Sequence, residues 1–254
     1  MPLRIGLIGS GFIGRSHSIA LSAVGSVFPE IEAPVLEVIA EADPEKAARA
    51  ARELGFRRCA RDWRELVRDP AVDIVDVCSP NYLHHEMALA ALAAGKHVYC
   101  EKPLEISVER CQQMIDACKA ADRMLGTAYR CRFEPHHIEC IRIAREQELG
   151  AVRIIEAGYG TDVGKPDQWR LKRALSGGGA LMDVGVYALQ ATRYLTGEEP
   201  VLVSATETKT DAVKFEEVDE TVAWTAKFPG GAVAYCTASF KVRGIRNFRA
   251  NADG

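Results

Sequence analysis

Arg4-Ile5-Gly6-Leu7-Ile8-Gly9-Ser10-Gly11-Phe12-Ile13-Gly14 decides the fold. An apolar run from Leu3 to Ile8 stops at a glycine loop, and a helix is expected from about Gly11 to Val24. A strand that ends in G-x-G-x-x-G and opens a helix is the fingerprint of a dinucleotide-binding unit. Gly9 lets the chain turn sharply, Gly11 lets the backbone approach a pyrophosphate, and Gly14 lets the helix pack close to the strand. Phe12 and Ile13 fall in the first helical turn, where unpaired N–H groups and the positive dipole end face an anion.

Further along, Val35–Ala40, Asp73–Cys78, His97–Cys100 and Met124–Tyr129 read as strands, and Pro44–Leu54, a short segment from Asp62 to Val67, Met87–Ala94 and Val108–Ala121 read as helices. Alternation of this kind implies a doubly wound parallel sheet with helices on both faces. After about residue 130 the pattern changes. A helix from His136 to Gln147 leads to a strand at Val152–Gly158, and Gly177-Gly178-Gly179 is expected to open one long helix to Leu195. Strands then follow at Val201–Thr208, Thr221–Phe228, Ala232–Phe240 and Asn247–Ala250, which suggests an open, mostly antiparallel sheet. The expected fold class is therefore α/β, with a Rossmann domain over residues 1–130 and an α+β domain over 131–254. The chain stops at Asn251-Ala252-Asp253-Gly254, so the second domain is expected to be incomplete.

Composition narrows the function. A net charge of −3 offers no basic excess for nucleic acid, and no apolar run approaches a membrane span. Met1-Pro2-Leu3 runs straight into a strand, so no signal peptide is expected ahead of it. The eight cysteines contain no C-x-x-C pair and read as cytoplasmic thiols, not zinc ligands. His136-His137 lacks a convincing third ligand, so no metal is expected.

At the end of the second strand, Glu41 is the candidate to accept hydrogen bonds from an adenosine ribose and repel a 2′-phosphate. Asp43, just before Pro44, is the competing residue but suits a helix cap. NAD is favoured over NADP, with Arg15 and Arg49 arguing for the latter. Glu101-Lys102-Pro103 places a lysine at a strand end, where ligands gather in such sheets.

These stretches, with Ser79-Pro80-Asn81-Tyr82-Leu83-His84, Gly126–Pro135 and Gly177–Tyr187, resemble the Gfo/Idh/MocA oxidoreductases over essentially the whole chain and in the family's order. The first half looks most like the inositol and levoglucosan dehydrogenase branch. The second is similar to glucose–fructose oxidoreductase and its aldose dehydrogenase relatives, in which tyrosine stands at the position of Tyr187 where most members have histidine. The resemblance implies an NAD(P)-dependent oxidoreductase of a sugar or cyclic polyol, a Lys102-Pro103 bond that is often cis, members that run well beyond residue 254, and a second domain that mediates homo-oligomers. It also implies that Ser79, Pro80, Asn81, His84, Glu101 and Lys102 lie at the cofactor.

Oxidising a sugar hydroxyl needs a base and a hydride acceptor held close to the carbon. Lys102 would stabilise developing negative charge on the substrate oxygen. Asp183 and Tyr187 are four apart and share one helix face if the helix is regular. A phenol needs a nearby ammonium to act as base at neutral pH, so Lys102 and Tyr187 make a pair, with Asp183 orienting the substrate hydroxyl or the lysine. Tyr187 packed in the core is the alternative. Arg132, Trp169 and Arg170 are candidates to line the sugar site, though Trp169 equally suits a core. A trans-dihydrodiol or dicarbonyl reductase and a non-catalytic nucleotide sensor are the competing functions.

Overall fold

The computed structural model describes residues 1–254, which divide into two compact units, Met1–Ala128 and Tyr129–Gly254. In the first, strands β1 (Arg4–Ile8), β2 (Val35–Ala40), β3 (Arg58–Ala60), β4 (Ile74–Val77), β5 (His97–Cys100) and β6 (Leu125–Thr127) form one sheet in the order β3-β2-β1-β4-β5-β6. Every pairing is parallel. The order reverses between β1 and β4, and the crevice outside the carboxyl ends of these strands is the ligand position of an open α/β sheet.

The strands are apolar because both faces are covered. Leu7, Ile39, Val75 and Val77 are fully enclosed or nearly so, each worth about 1.5–3 kcal/mol relative to exposure. Helices α1 (Phe12–Val27), α2 (Pro44–Leu54), α3 (Trp63–Arg68), α4 (His84–Ala93) and α5 (Val108–Ala121) supply the cover. Their starts follow local chemistry. Asp43, Asp62 and Ser107 each accept a main-chain N–H in the first turn of α2, α3 and α5. Asp43 is thus the helix cap. Edge strand β3 has no counterpart in the sequence reading, since Arg58-Cys59-Ala60 is too short and mixed to show a period.

In the second unit, β7 (Val152–Gly160), β8 (Leu202–Thr208), β9 (Thr221–Lys227), β10 (Val233–Ser239) and β11 (Arg246–Ala252) form a sheet ordered β11-β7-β10-β9-β8. β7 and β10 run parallel and the other neighbours antiparallel, so the sheet is mixed. Helix α6 (Pro135–Arg145), the short α7 (Arg173–Ser176) and α8 (Val186–Thr196) complete the unit. Val222, Trp224 and Ala226 of β9 and Ala234, Cys236 and Ala238 of β10 are buried with Val184, Ala188 and Leu195. The alternate residues Ala223, Thr225, Tyr235 and Thr237 are exposed on the opposite face.

The expectation of one regular helix from the glycine run to Leu195 is corrected. Leu181–Gly185 is a π-helical turn, and α8 begins only at Val186. The cause is close packing around Asp219. Its carboxylate accepts the N–H groups of Gly179 and Leu181, each at 2.7 Å. A side chain on Gly179 would collide with the Asp219 main chain, and one on Gly185 would come 2.9 Å from Ala238 Cβ.

Candidate active site

The glycine loop after β1 takes the shape its sequence implies. Gly9 has φ +99°, and a Cβ there would meet the Cys78 carbonyl oxygen at 2.8 Å. A Cβ on Gly14 would strike the Gly9 carbonyl oxygen. At Gly11 the same Cβ would meet nothing within 4 Å. Gly9 and Gly14 are therefore glycine for the protein's own packing, whereas Gly11 faces open space at the start of α1. No acidic side chain occupies the first turn of that helix. Open space, free N–H groups and a dipole end fit a dinucleotide pyrophosphate. Phe12 is 86% exposed at this edge and Ile13 is partly buried.

Glu41 is tied to the loop itself. One carboxylate oxygen accepts Ser10 N (2.5 Å), Ser10 Oγ (2.6 Å) and Lys46 Nζ (2.7 Å). Burial opposes the charge, but Lys46 and Ser10 outweigh it and hold the carboxyl below its usual range. Ser10, Arg15, Lys46, Arg49 and Glu53 line a surface recess of about 400 Å³ beside it. Arg15 and Arg49 both turn to Glu53, at 2.6 and 3.9 Å.

At the ends of β4 and β5 a second constellation forms. Ser79 and Pro80 are partly exposed and Asn81 is buried in a short 3-10 turn, Asn81–Leu83. Lys102 is partly exposed and its peptide bond to Pro103 is cis. Its N–H donates to Glu101 Oε2 at 2.9 Å.

His84 anchors this loop from within. It is fully buried, Nε2 lies 3.0 Å from the Ser79 carbonyl, and Nδ1 lies 3.0 Å from that of Pro103 and 3.3 Å from that of Leu104. Burial, the dominant influence, keeps its pKa below the ordinary histidine value despite the carbonyls. The ring clamps the Ser79 loop to the segment after Lys102.

Two residues absent from the sequence reading complete this site. His17, on α1, places Nδ1 2.9 Å from Asp76 and Nε2 3.2 Å from Glu101. Asp76 is an almost fully buried carboxylate in β4. The signal was there: a charge inside Ile74-Val75-Asp76-Val77 must have a partner. Cys78 Sγ stands 3.4 Å from the same ring, and burial with the nearby carboxylates pushes its thiol far up, so it stays protonated.

In the second unit, Arg170 Nε approaches Asp183 at 3.4 Å and its guanidinium stacks on Trp169 at 4.4 Å. Tyr187 packs against Tyr159, ring centroids 4.7 Å apart, and Arg130 hydrogen-bonds both Tyr187 and, at 3.2 Å, the Tyr159 hydroxyl. Arg130 and Tyr159 were not among the expected site residues. Asp183 lies in the π turn and Tyr187 beyond it, so the regular-helix spacing used to align them does not apply as it stands. π turns of this kind recur at functional sites. Arg132 goes elsewhere, 5.4 Å from the Tyr194 ring.

Comparison with known proteins identifies the family. Residues 3–129 match the model described as oxidoreductase family, NAD-binding Rossmann fold, and residues 137–254 match the GFO/IDH/MocA C-terminal domain. The chain is 39% identical over 201 residues to levoglucosan dehydrogenase of Pseudarthrobacter phenanthrenivorans, a match covering 77% of this chain and 52% of that protein. It is 31% identical to D-xylose 1-dehydrogenase [NADP(+)] of Haloarcula marismortui, covering 94% of this chain and 66% of the relative. A solved levoglucosan dehydrogenase in complex with NADH and levoglucosan superposes with TM-score 0.92 at 34% identity, over 99% of this chain and 71% of that one. The chain spans about half to two thirds of these two relatives' own lengths. It belongs to the Gfo/Idh/MocA oxidoreductase family. No helix is long and apolar enough to cross a membrane.

Proposed function

We propose that the protein, a Gfo/Idh/MocA family member, is an NAD-dependent dehydrogenase or reductase of a sugar or cyclic polyol, acting in the cytoplasm. The observation that carries this reading is the Gly11 cradle, open exactly where packing does not require it, in the same unit as a lysine fixed at the end of β5. Residues 1–130 hold the cofactor, with Gly9, Gly11, Phe12, Ile13 and Gly14 at the pyrophosphate, Glu41 at the adenosine ribose, and Ser79, Pro80, Asn81, Glu101 and Lys102 towards the nicotinamide. Residues 131–254 hold the substrate.

When bound, NAD supplies the hydride acceptor. Lys102 donates a hydrogen bond to the reacting oxygen and balances the charge that grows on it. Tyr187 accepts the hydroxyl proton in oxidation and returns it in reduction, with Arg130 as the cation beside its phenol. Asp183, tethered to Arg170, orients the substrate, and Trp169 offers an apolar face to the sugar ring. Arg132, over the Tyr194 ring, has no part in this arrangement.

The test is a panel of aldoses, anhydrosugars and inositols assayed with NAD and with NADP. Turnover of at least one of them with NAD is expected. NADP preferred over NAD would overturn the Glu41 assignment, and NAD binding with no hydride transfer would favour a sensor. Tyr187→Phe is expected to lower kcat about a hundredfold, since only the hydroxyl is removed and the ring contact with Tyr159 remains. Nearly full turnover would rule Tyr187 out as the proton acceptor.

We also infer that the uncovered face of the second sheet joins copies of the chain. On its two strands β9 and β10 the exposed residues are small or uncharged, Ala223, Thr225, Tyr235 and Thr237, as a sheet-to-sheet contact needs, with Glu156 of β7 beside Tyr235. Light scattering should give at least a dimer, and Thr225→Arg should reduce it to monomer; a parent chain that is monomeric at micromolar concentration would reject the contact.

A further inference from the structure

We propose that His17 is a positioning residue for Lys102: pinned between Asp76 and Glu101, it fixes the Glu101 carboxylate, whose second oxygen holds the Lys102 main chain. The inference rests on the reading of Lys102 as the group that meets the substrate oxygen.

The geometry is specific. His17 leaves α1 one turn after Gly14 and reaches the carboxyl ends of β4 and β5. Nδ1 lies 2.9 and 3.1 Å from the two oxygens of Asp76, and Nε2 lies 3.2 Å from Glu101 Oε1. Glu101 Oε2 then accepts the Lys102 N–H at 2.9 Å. A neutral imidazole donates from one nitrogen only and would turn a lone pair towards a carboxylate at the other. With a carboxylate at each nitrogen, the ring donates from both and is an imidazolium.

The other groups facing it do not compete for this role. Cys78 Sγ, 3.4 Å from Nδ1, remains a thiol. The Tyr99 ring lies tilted 5.5 Å away, and burial together with Asp76 and Glu101 pushes its phenol up to about 12. Burial opposes the charge on His17, but the hydrogen bonds and charges of Asp76 and Glu101 outweigh it and raise its pKa to about 10.

Without that cation, two largely buried carboxylates would face the same space. Glu101 would turn away from its like charge, and the Lys102 N–H would lose its acceptor. The lysine would stay in the chain but move from its place, and a displacement of about 1 Å at a reacting group costs on the order of a hundredfold in rate.

The test uses the full chain and the variants His17→Gln and Glu101→Gln. In the parent, ¹⁵N-histidine NMR at about pH 8 should show both His17 ring nitrogens protonated, although a free histidine is neutral there. In Glu101→Gln the ring should titrate at least one pH unit lower. Amide exchange at Lys102 should quicken about tenfold or more in both variants. His17→Gln should still bind NADH within about tenfold of the parent, since the glycine cradle is untouched, while kcat falls about ten- to a hundredfold and the substrate KM moves little.

A His17 ring carrying one bare nitrogen at that pH would overturn the proposal, as would a Lys102 amide that exchanges at the parent rate in a folded variant. If His17→Gln does not fold, Glu101→Gln, which keeps the Asp76–His17 pair, carries both readouts. They also decide the matter if no sugar in the panel is turned over: that result would reject the proposed function, while the ring and amide data judge the positioning device separately.

Discussion

Lys102→Met is expected to lower kcat/KM by about three orders of magnitude while leaving NADH affinity within a few-fold of the parent. Methionine keeps most of the length and the apolar stem but removes the charge and all three donors. The main chain at this position is held independently of its side chain. Glu101 Oε2 accepts the Lys102 N–H, and the carbonyls of Pro103 and Leu104 face His84. The substitution therefore leaves strand β5 and its following segment where they are, and the loss is chemical. Two effects add. A reacting oxygen loses its charged donor, worth about a hundred- to a thousandfold in comparable sites, and any proton transfer that relied on the nearby positive charge slows as well. Stopped-flow NADH titration and steady-state kinetics on the best substrate separate the two quantities. A kcat/KM within tenfold of the parent would remove Lys102 from the reaction, and a collapse of NADH affinity would show that its contact with the cofactor outweighs any role at the reacting oxygen.

What the sequence revealed and what it hid follow from the range of the forces involved. The strand at Val35–Ala40, the helix at Pro44–Leu54 and the strand at His97–Cys100 were legible residue for residue, because apolar runs, a proline at a helix start and an aspartate cap are local signals. The π turn at Leu181–Gly185 was not, since it answers to Asp219, more than thirty residues away in sequence. The same holds at the site. Gly9, Gly11 and Gly14 are recognisable by spacing. The burial of His84 and the link from His17 to Glu101 depend on which strand ends lie side by side, and only the order β1-β4-β5 brings them together. The setting of His84 was hidden because a histidine after a strand end looks the same in sequence whether its nitrogens face a ligand or three carbonyls.

The glycine loop gives the second large effect, and it comes as a contrast between two residues three apart. Gly14→Ala should lower Tm by several degrees and weaken NAD binding at least about a hundredfold. Its methyl has nowhere to go: the Gly9 carbonyl oxygen occupies the space, and Leu7 Cδ2 stands 3.3 Å away. Overpacking of this kind costs about 1–3 kcal/mol, and relief requires the loop to move, which turns the N–H groups of α1 away from the pyrophosphate position. Gly11→Ala should behave differently. Gly11 has φ −64° and ψ −174°, open to any residue, and no atom lies within 4 Å of the added methyl. Lost capping and reduced unfolded-state entropy nearly cancel, so Tm should stay within about 2 °C of the parent. NAD affinity should nevertheless fall about ten- to a hundredfold, because the methyl occupies the space that only a ligand would use. Thermal melts of the apo chains and isothermal titration with NAD measure both. If Gly11→Ala binds NAD as the parent does, the pyrophosphate does not lie on this loop. If it unfolds the protein, Gly11 is a packing glycine like its neighbours, and the cradle loses the feature that marks it as a binding site.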